Sequence, residues 1–481
     1  MEKLKNFISG EHISYSKKTL DIISPYTEEK IAEITDSNIE DVNAAVHSAR
    51  KAFESWKNTT PRERSNLFLK LAQLLEENKE KLARIESKNQ GKPITLASLD
   101  IDFAIDNLKF FAGAARCLQT TISGNYVDKH FRKKHKALGT SILKREPLGV
   151  VASIIPWNYP FMIACWKLAA IAAGNTIILK PSSLTPLTTL ELGNLSKKAG
   201  FPDGVINVLT GAGENVGNLL ASHKKIDMVS LTGNTETGKQ LMKLASETLK
   251  KVHLELGGKA PFIVFDDANL EKAAKYAVDA SIINSGQDCT AAARIYVQEK
   301  IYEKFLEKVK NHVKRIIIGD PSKSSTVIGP LISLKQKERV AGFLKNLEKT
   351  EKIIYQSKIP KKGYFFPITI IKDFEQKSNL CQLEVFGPVI ILAKFKTVEE
   401  VIEKANDVNY GLASSLWTKD IEKAFNVANQ LRFGEVWIND HLPLVSEMPH
   451  GGLKYSGHGS DLSVHSLEEY TYLKHIYVGL T

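Results

Sequence analysis

Apolar residues recur at helical spacing near the start of the chain. After Asn38 they fall at Ile39, Val42, Val46, Ala49 and Phe53. This period predicts an amphipathic helix. A second helix is predicted from Thr60 and Pro61, a cap and a first-turn proline, to about Gly91. A third helix is predicted over roughly 104–118.

From residue 150 onward, short continuous apolar runs alternate with helical segments. The predicted strands are 150–155, 176–179, 205–209 and 228–231, and the predicted helices are 161–173, 186–199 and 214–221. Buried runs between helices are typical of a parallel sheet that is covered on both faces. The pattern therefore predicts a doubly wound α/β domain.

A second series of the same kind begins near residue 260. Strands at 260–265 and 295–298, with helices at 269–284 and from 302 onward, predict another α/β domain that extends to about residue 442. Two further segments are predicted to be extended. The segment 123–144 is polar and basic, and 466–481 is rich in Tyr and β-branched residues and needs a neighbouring strand.

The 481 residues carry a formal net charge of +11. Lysines spread along the chain account for it, and their runs at 129–136 and 345–362 lack the interleaved aromatic residues of a nucleic-acid surface. We therefore predict no nucleic-acid partner. The apolar segment 161–179 is interrupted by Lys167 and Asn175, so no membrane partner is predicted either.

Four widely spaced cysteines fit a reducing compartment, and we expect a cytoplasmic protein. Because neither a paired-cysteine nor an HExxH pattern occurs, no metal site is predicted. Cys289 differs from the other cysteines because it follows a small polar loop, where a thiolate could be exposed as a nucleophile. An inert thiol is the alternative.

Two other residues carry candidate chemistry. Glu255 lies at an apolar strand end, where a carboxylate is either structurally paired or kept with a raised pKa for proton transfer. Asn158 follows the first strand of the doubly wound half, at the edge where such sheets bind ligands, and an Asx turn is the alternative. Glycine turns at 211–217 and 231–238 could hold a phosphate, or they are ordinary tight turns.

Five motifs then occur in one order along the chain. They are Pro156-Trp-Asn-Tyr-Pro160, Leu179-Lys-Pro-Ser182, Leu254-Glu-Leu-Gly-Gly-Lys259, Gly286-Gln-Asp-Cys289 and Glu384-Val-Phe-Gly-Pro388. With this set the chain resembles the aldehyde dehydrogenase superfamily over nearly its whole length. The resemblance implies an α/β fold with two doubly wound, Rossmann-like domains and a small β oligomerisation element. The implied divisions are 1–122 with 145–255 for NAD(P) binding, 256–442 for catalysis, and 123–144 with 460–481 for assembly into a homotetramer or homodimer.

The same resemblance implies roles for individual residues. Cys289 would be the nucleophile, Asn158 would stabilise the oxyanion, and Glu255 would activate water. Contacts with NAD, with NADP as the alternative, are implied for Trp157, Lys180, Ser182, Ser183, Gly213, Gly217, Thr232, Gly233, Asn234, Glu384 and Phe386.

Three departures from the family pattern concern the cofactor and proton release. Ser183 stands where many NAD-preferring members have a Glu that would repel a 2′-phosphate, so NADP use is expected to be tolerated. Asn234 replaces a Ser of the phosphate turn, and Ser460-Asp461 replaces an Arg-Glu pair.

Further stretches at 110–118, 289–294 and 445–452 resemble the 4-aminobutyraldehyde dehydrogenases of putrescine degradation. Tyr159 and Trp166 are similar to aromatic residues that bind cationic substrates in aminoaldehyde and betaine aldehyde enzymes. Ile283 and His450 replace two tryptophans of that pocket, which favours a primary amine. Asp100 is the candidate carboxylate for the ammonium, and a solvated acid at a helix start is the alternative.

The predicted function is therefore NAD(P)-dependent oxidation of a small aminoaldehyde through a cysteine thiohemiacetal and thioester. The best candidate substrate is 4-aminobutyraldehyde. A betaine aldehyde or broad-specificity aldehyde dehydrogenase is the alternative within the fold. A thiol hydrolase and a catalytically silent cofactor-binding protein are alternatives of other classes. Glu255, as the activator of water, disfavours a CoA-acylating reaction.

Overall fold

The computed structural model describes residues 3–118, 121–127 and 138–480. Its first part contains strands β1 Lys3–Leu4, β2 Asn6–Ile8, β3 Glu11–Ile13, β4 Thr19–Ile23, β5 Lys30–Thr35, β6 Thr121–Val127, β7 Leu138–Pro147, β8 Val150–Ile154, β9 Thr176–Lys180, β10 Ile206–Val208, β11 Met228–Thr232 and β12 Lys251–Glu255. The helices of this part are α1 Ile39–Trp56, α2 Pro61–Glu77, α3 Lys79–Gln90, α4 Ile94–Cys117, α5 Pro160–Lys167, α6 Ala169–Ala172, α7 Leu187–Ala199, α8 Asn218–Ser222 and α9 Thr235–Ser246.

The second part has the same alternating character. Its strands are β13 Ala260–Val264, β14 Ala292–Gln298, β15 Lys352–Gln356, β16 Thr369–Lys372, β17 Val389–Phe395, β18 Tyr410–Gly411, β19 Ala413–Trp417, β20 Glu435–Ile438, β21 Leu453–Lys454, β22 Gly457–His458 and β23 Thr471–Leu480. Its helices are α10 Leu270–Ile282, α11 Tyr302–Val313, α12 Leu334–Lys345, α13 Asn379–Gln382, α14 Val398–Asn406, α15 Ile421–Gln430 and α16 Ser463–Glu469.

The first large sheet has the strand order β22-β12-β11-β8-β9-β10-β2-β3. The five strands from β12 to β10 are parallel, and β22, β2 and β3 complete the sheet in antiparallel pairing. Nearly every residue of β8, β9 and β11 is buried, since helices cover both faces. The chain reverses its direction of winding between β8 and β11, where doubly wound sheets bind ligands at the carboxyl edge.

The second large sheet has the order β15-β16-β17-β14-β13-β19-β20, parallel except for the edge strand β15. Both doubly wound units predicted from the alternating apolar runs are therefore present. The boundary predicted between residues 255 and 256 falls between β12 and β13.

Several predicted helix bounds are wrong. The helix predicted from residue 60 to about 91 is two helices, since α2 ends at Glu77 and Asn78 takes a non-helical conformation. The predicted cap is confirmed, because Thr60 and Glu63 form a reciprocal capping box. The helix expected from about residue 104 begins ten residues earlier, at Ile94 after Pro93. The helix predicted over 161–173 is divided at Leu168 into α5 and α6.

A three-stranded antiparallel sheet has the order β23-β7-β6. The neighbour expected for the last strand is β7, which pairs with it over ten residues. The prediction of strand over 466–481 is partly wrong, because Ser463–Glu469 is helical and the strand covers Thr471–Leu480. Residues 128–137 of the predicted extended segment, and residue 481, lie outside the described residues. In the described part of the chain no helix is long and apolar enough to cross a membrane.

Candidate active site

The loop that carries Cys289 has a tightly determined backbone. Asn284 and Ser285 adopt left-handed conformations, with φ of 47° and 60°. Gly286 does so as well, at 72°, and a Cβ there would lie 2.2 Å from the Gly387 carbonyl oxygen. Such a loop holds the half-buried Cys289 in one position just before β14.

Asn158 is fastened to this loop. Its side-chain amide nitrogen donates to the backbone carbonyl of Gln287 at 3.2 Å. Its backbone carbonyl oxygen accepts from the side-chain amide of Asn284 at 2.9 Å. The amide therefore bonds across 129 positions of sequence, which is not the contact of a local Asx turn. The structure thus places Asn158 against the loop that carries Cys289.

Glu255 closes β12 with a carboxylate that is 1% exposed. Neither of its oxygens has a hydrogen-bond partner among the described residues. Burial raises the pKa of Glu255 to about 8, although the charge of His450 opposes the shift. A buried carboxylate with free lone pairs and a pKa near neutrality is suited to accept a proton from water.

His450 lies against two carboxylates. Its Nε2 lies 3.7 Å from Glu255 Oε1. Its Nδ1 lies 2.7 Å from Glu435 Oε1. Burial disfavours the imidazolium, but the carboxylates of Glu435 and Glu255 outweigh burial and raise the pKa of His450 well above its ordinary value.

Burial raises the pKa of the Cys289 thiol to about 12, while His450 lowers it. The His450 ring also packs edge-on against Trp166, with centroids 5.4 Å apart. Trp166 on α5 in turn contacts Phe103 on α4 at 6.3 Å. Trp166 and His450, predicted for the substrate pocket, therefore lie in one cluster beside Glu255.

Tyr159 is joined to the residue that precedes the nucleophile. Its hydroxyl donates to Asp288 Oδ2 at 2.6 Å. The ammonium of Lys92 lies 4.0 Å from the centre of the Tyr159 ring, so a cation of the protein itself covers one face of this ring. That face is not open to a substrate cation.

Asp100 forms an ion pair with the same Lys92. It lies in the second turn of α4 and is 4% exposed, so the alternative of a solvated acid at a helix start is wrong. Burial raises the pKa of Asp100 to about 7, and Lys92 opposes this shift. The carboxylate proposed for the substrate ammonium thus already has an internal cationic partner.

Residues predicted to bind the cofactor lie along the carboxyl edge of the first sheet. Lys180 closes β9, and its buried Nζ donates to the Pro181 carbonyl at 2.9 Å. Burial lowers the pKa of Lys180 to about 8. Thr232 closes β11, and its buried hydroxyl has no hydrogen-bond partner among the described residues. Spare donors of this kind fit the hydroxyls of a dinucleotide.

The glycine turns predicted to face the phosphates flank these strands. Residues Gly213–Gly217 form a turn of π-helix before α8. Gly233 follows β11, and Asn234 caps α9 by accepting from the Thr237 amide at 2.9 Å. Asn234, which replaces the usual Ser, is therefore still a helix cap. The amides of the first turn of α9 are directed toward the carboxyl edge of the first sheet.

The remaining cofactor candidates are Trp157, Ser182, Ser183, Glu384 and Phe386. Glu384 accepts from the Gly258 amide at 2.9 Å, and Trp157 packs edge-on against Phe386 with ring centroids 5.2 Å apart. Burial raises the pKa of Glu384 to about 7. Ser182 accepts from the Leu184 amide at 3.3 Å, and Ser183 is half-buried beside it.

Sequence reasoning missed several groups of this site. Glu435 and Lys92 lie in no motif, and only the fold brings them to His450 and Tyr159. Asp288 lies within the cysteine motif and could have been selected by its position next to the nucleophile. Lys167, noted only as an interruption of an apolar segment, and Asp461, noted only as part of a departure from the family pattern, form a fully buried ion pair at 2.6 Å. Within the described ranges no group of three or more potential ligands could hold a metal ion.

Comparison with known proteins agrees with this geometry. Residues 12–476 match the aldehyde dehydrogenase family. The chain belongs to the aldehyde dehydrogenase family. The betaine aldehyde dehydrogenase of Bacillus subtilis is 41% identical over 481 residues, which cover 98% of this chain and 96% of that protein.

Solved structures share the fold. The betaine aldehyde dehydrogenase of Staphylococcus aureus, solved in complex with NAD+, superposes with a TM-score of 0.93 at 38% identity and covers 99% of this chain and 95% of its own. An NADP-dependent enzyme of E. coli gives 0.95 at 34% identity, over 99% of this chain and 98% of its own. The predicted fold and the predicted use of an NAD(P) cofactor are confirmed for this aldehyde dehydrogenase, and its substrate is a small aldehyde.

Proposed function

We propose that this aldehyde dehydrogenase oxidises an aminoaldehyde, with 4-aminobutyraldehyde as the best candidate and 4-aminobutanoate, a product of putrescine breakdown, as the acid formed. The observation that carries the proposal is the half-exposed carboxylate of Asp288, adjacent to Cys289 and held by the Tyr159 hydroxyl at 2.6 Å. An anion beside the nucleophile favours a substrate whose far end is a hydrogen-bond-donating cation.

The proposed chemistry uses three side chains. The thiolate of Cys289 attacks the carbonyl carbon, and the oxyanion that forms is stabilised by the Asn158 amide and the Cys289 backbone N–H. Lys180 and Glu384 would help to hold NAD(P), which would supply the acceptor for the hydride that leaves this carbon, and Cys289 would then carry a thioester. Glu255 takes a proton from water, the water oxygen attacks the thioester, and cleavage of the carbon–sulfur bond releases the acid.

The ammonium subsite differs from the expectation based on Tyr159 and Asp100 alone. Because Lys92 already covers the Tyr159 ring and pairs with Asp100, we propose that these residues set the position of Asp288 rather than contact the substrate ammonium directly. Trp166 supplies an apolar wall on the side of His450. This arrangement offers hydrogen-bond acceptors, which a primary ammonium uses and a trimethylammonium cannot.

The relatives support a second candidate function. Betaine aldehyde dehydrogenases are 41% and 38% identical to this chain, so a trimethylammonium aldehyde is the alternative substrate. For the cofactor, Ser183 supplies no carboxylate against a 2′-phosphate, and we propose that both NAD and NADP are accepted. We further propose that the sheet β23-β7-β6 is the assembly element of a homotetramer or homodimer, with cofactor-binding residues 1–122 and 145–255 and catalytic residues 256–442.

Initial rates of cofactor reduction with 4-aminobutyraldehyde, betaine aldehyde and butyraldehyde, each with NAD and with NADP, test these proposals. The aminoaldehyde is expected to give the highest kcat/KM, at least about tenfold above butyraldehyde, which corresponds to about 1.4 kcal/mol. A higher kcat/KM for betaine aldehyde would replace the aminoaldehyde by the alternative substrate. Equal values would indicate broad specificity, and cofactor binding without any turnover would indicate a silent structural protein.

A further inference from the structure

A histidine from the second half of the chain anchors the segment that follows Cys289. His441 lies just after β20 and is 3% exposed. Its Nε2 lies 2.8 Å from the Thr290 carbonyl oxygen, and its Nδ1 lies 2.7 Å from the hydroxyl of Ser415 on β19. We propose that His441 is a positioning residue of the ammonium subsite, which acts through Thr290 to hold the carboxylate of Asp288 beside the nucleophile. This role rests on the proposed function, in which Asp288 accepts the substrate ammonium.

Thr290 supplies two of the hydrogen bonds that orient Asp288. Its backbone amide and its hydroxyl both donate to Asp288 Oδ1, at 2.6 and 2.7 Å. The Tyr159 hydroxyl donates to the other oxygen, Oδ2. Since a carboxylate offers about four acceptor positions, these bonds leave room for a substrate ammonium. The direction of the remaining acceptor position is therefore set by Thr290 as well as by Tyr159.

The two hydrogen bonds of His441 require a neutral ring in one tautomer. Because a carbonyl oxygen only accepts, Nε2 carries the proton of the bond to Thr290, and the unprotonated Nδ1 accepts from the Ser415 hydroxyl. Burial lowers the pKa of His441 to about 4, so the ring stays neutral near neutral pH. Each ring nitrogen therefore has its own partner, and the donor directed at Thr290 is fixed.

The surrounding fold also fixes the orientation of the His441 ring. Its centroid lies 4.8 Å from that of Trp437 and 5.6 Å from that of Phe262. The backbone amide of His441 donates to Asp440 Oδ1 at 2.8 Å. The next residue, Leu442, has a left-handed φ of 77°, which a bulky side chain adopts only where the surrounding structure imposes it. This strained turn is the one that directs the imidazole at Thr290.

The anchors on the two sides of Cys289 come from different segments. On the upstream side, the Gln287 carbonyl accepts from the side chain of Asn158. On the downstream side, the Thr290 carbonyl accepts from His441. Because the upstream anchor remains when His441 is replaced, the thiol is expected to stay in the site. The carboxylate that Thr290 holds is expected to lose its fixed orientation.

The test compares two thiol reagents of similar size on the full-length protein, with mass spectrometry of the Cys289 peptide as the readout. The reagent 2-aminoethyl methanethiosulfonate carries a primary ammonium, and 2-hydroxyethyl methanethiosulfonate is neutral. The ratio of their rates, divided by the same ratio for a free thiol in solution, measures the negative charge presented beside Cys289. Asp288→Asn is expected to lower this ratio about fivefold, and His441→Phe, which removes both ring hydrogen bonds, about threefold.

Two further variants separate positioning from packing. His441→Gln, whose amide can donate to the Thr290 carbonyl, is expected to keep the ratio within about twofold of the wild type. His441→Asn places its shorter amide near the Nδ1 position, where it retains an acceptor for Ser415 but lacks the donor to Thr290. It is expected to lower the ratio as His441→Phe does, and it decides if His441→Phe does not fold.

His253→Phe is the matched control. His253 on β12 is also a buried histidine whose Nδ1 lies beside a serine hydroxyl, that of Ser230 at 2.9 Å. Its ratio is expected to match the wild type.

An unchanged ratio in His441→Phe and His441→Asn, with both reagents slowed equally or not at all, would overturn the role of His441. The proposed function would survive that result as long as Asp288→Asn lowers the ratio. An unchanged ratio in Asp288→Asn would instead refute the proposed ammonium subsite itself. Because the readout requires no aldehyde, these outcomes do not depend on which substrate is oxidised.

Discussion

At the residue scale, the site depends on one sulfur atom placed by an unusually constrained loop. Replacing Cys289 by Ala is expected to lower kcat for aldehyde oxidation by more than about a thousandfold, because no other thiol lies in the site. Binding of NAD, measured by fluorescence titration, is expected to persist, since the cofactor residues lie on other segments. The exposed Cys117 provides the control: Cys117→Ala is expected to retain full activity.

Glu255 gives the reaction a predictable pH dependence. Its pKa of about 8 means that the carboxylate, the form that accepts a proton from water, increases as the pH rises through 8. Single-turnover hydrolysis of the acyl-enzyme is therefore expected to accelerate from pH 6 to pH 9 and to level off above. In Glu255→Gln the rate is expected to be low at every pH, whereas Glu54→Gln, an exposed change on α1, should retain the wild-type profile. A pH-independent wild-type rate would exclude Glu255 as the base.

At the element scale, α4 is fixed to the preceding loop by the buried ion pair of Asp100 with Lys92. Asp100→Asn is expected to lower the free energy of unfolding by about 3 kcal/mol, because it removes the carboxylate that forms the ion pair with the buried ammonium of Lys92. Asp102→Asn, two residues along the same helix, removes an exposed pair with Lys79 and is expected to cost less than about 1 kcal/mol. Equilibrium urea unfolding of both variants measures the difference. Equal effects would show that burial of the first pair is energetically unimportant.

The elements were predictable where a local pattern determines them. The strands of the first sheet follow from continuous apolar runs because burial on both faces requires them, and Thr60 was recognisable as a cap because Glu63 completes the box. The breaks at Asn78 and Leu168 were not predictable, since neither glycine nor proline marks them. Contacts within the site were not predictable either, because the spacing of Glu435 and His450 in the sequence does not indicate that they are in contact.

At the scale of the whole molecule, β23 leaves a row of large apolar side chains exposed. Leu473 and Tyr477 lie on one face of the strand and Ile476 and Val478 on the other, and each is between 38% and 56% exposed. Exposed apolar side chains of this kind mark an interface. Ile476→Asp is expected to shift the protein to a smaller species in size-exclusion chromatography with light scattering, while its far-UV circular dichroism is retained. The same change at Leu249, which is 92% exposed and distant in sequence from this sheet, is the control and should leave the assembly intact. An unchanged molar mass for Ile476→Asp would place the interface elsewhere.

Two adjacent glycines connect the halves of the molecule at the site. A Cβ on Gly258 would lie 2.0 Å from the Cys289 carbonyl oxygen, and one on Gly257 would lie 2.9 Å from a carboxylate oxygen of Glu384. Three segments distant in sequence therefore meet where there is no room for a methyl group. A chimera that takes one of these segments from a relative with a different backbone path would have to take all three, so recombination between relatives is expected to succeed only when its crossover points leave this trio intact.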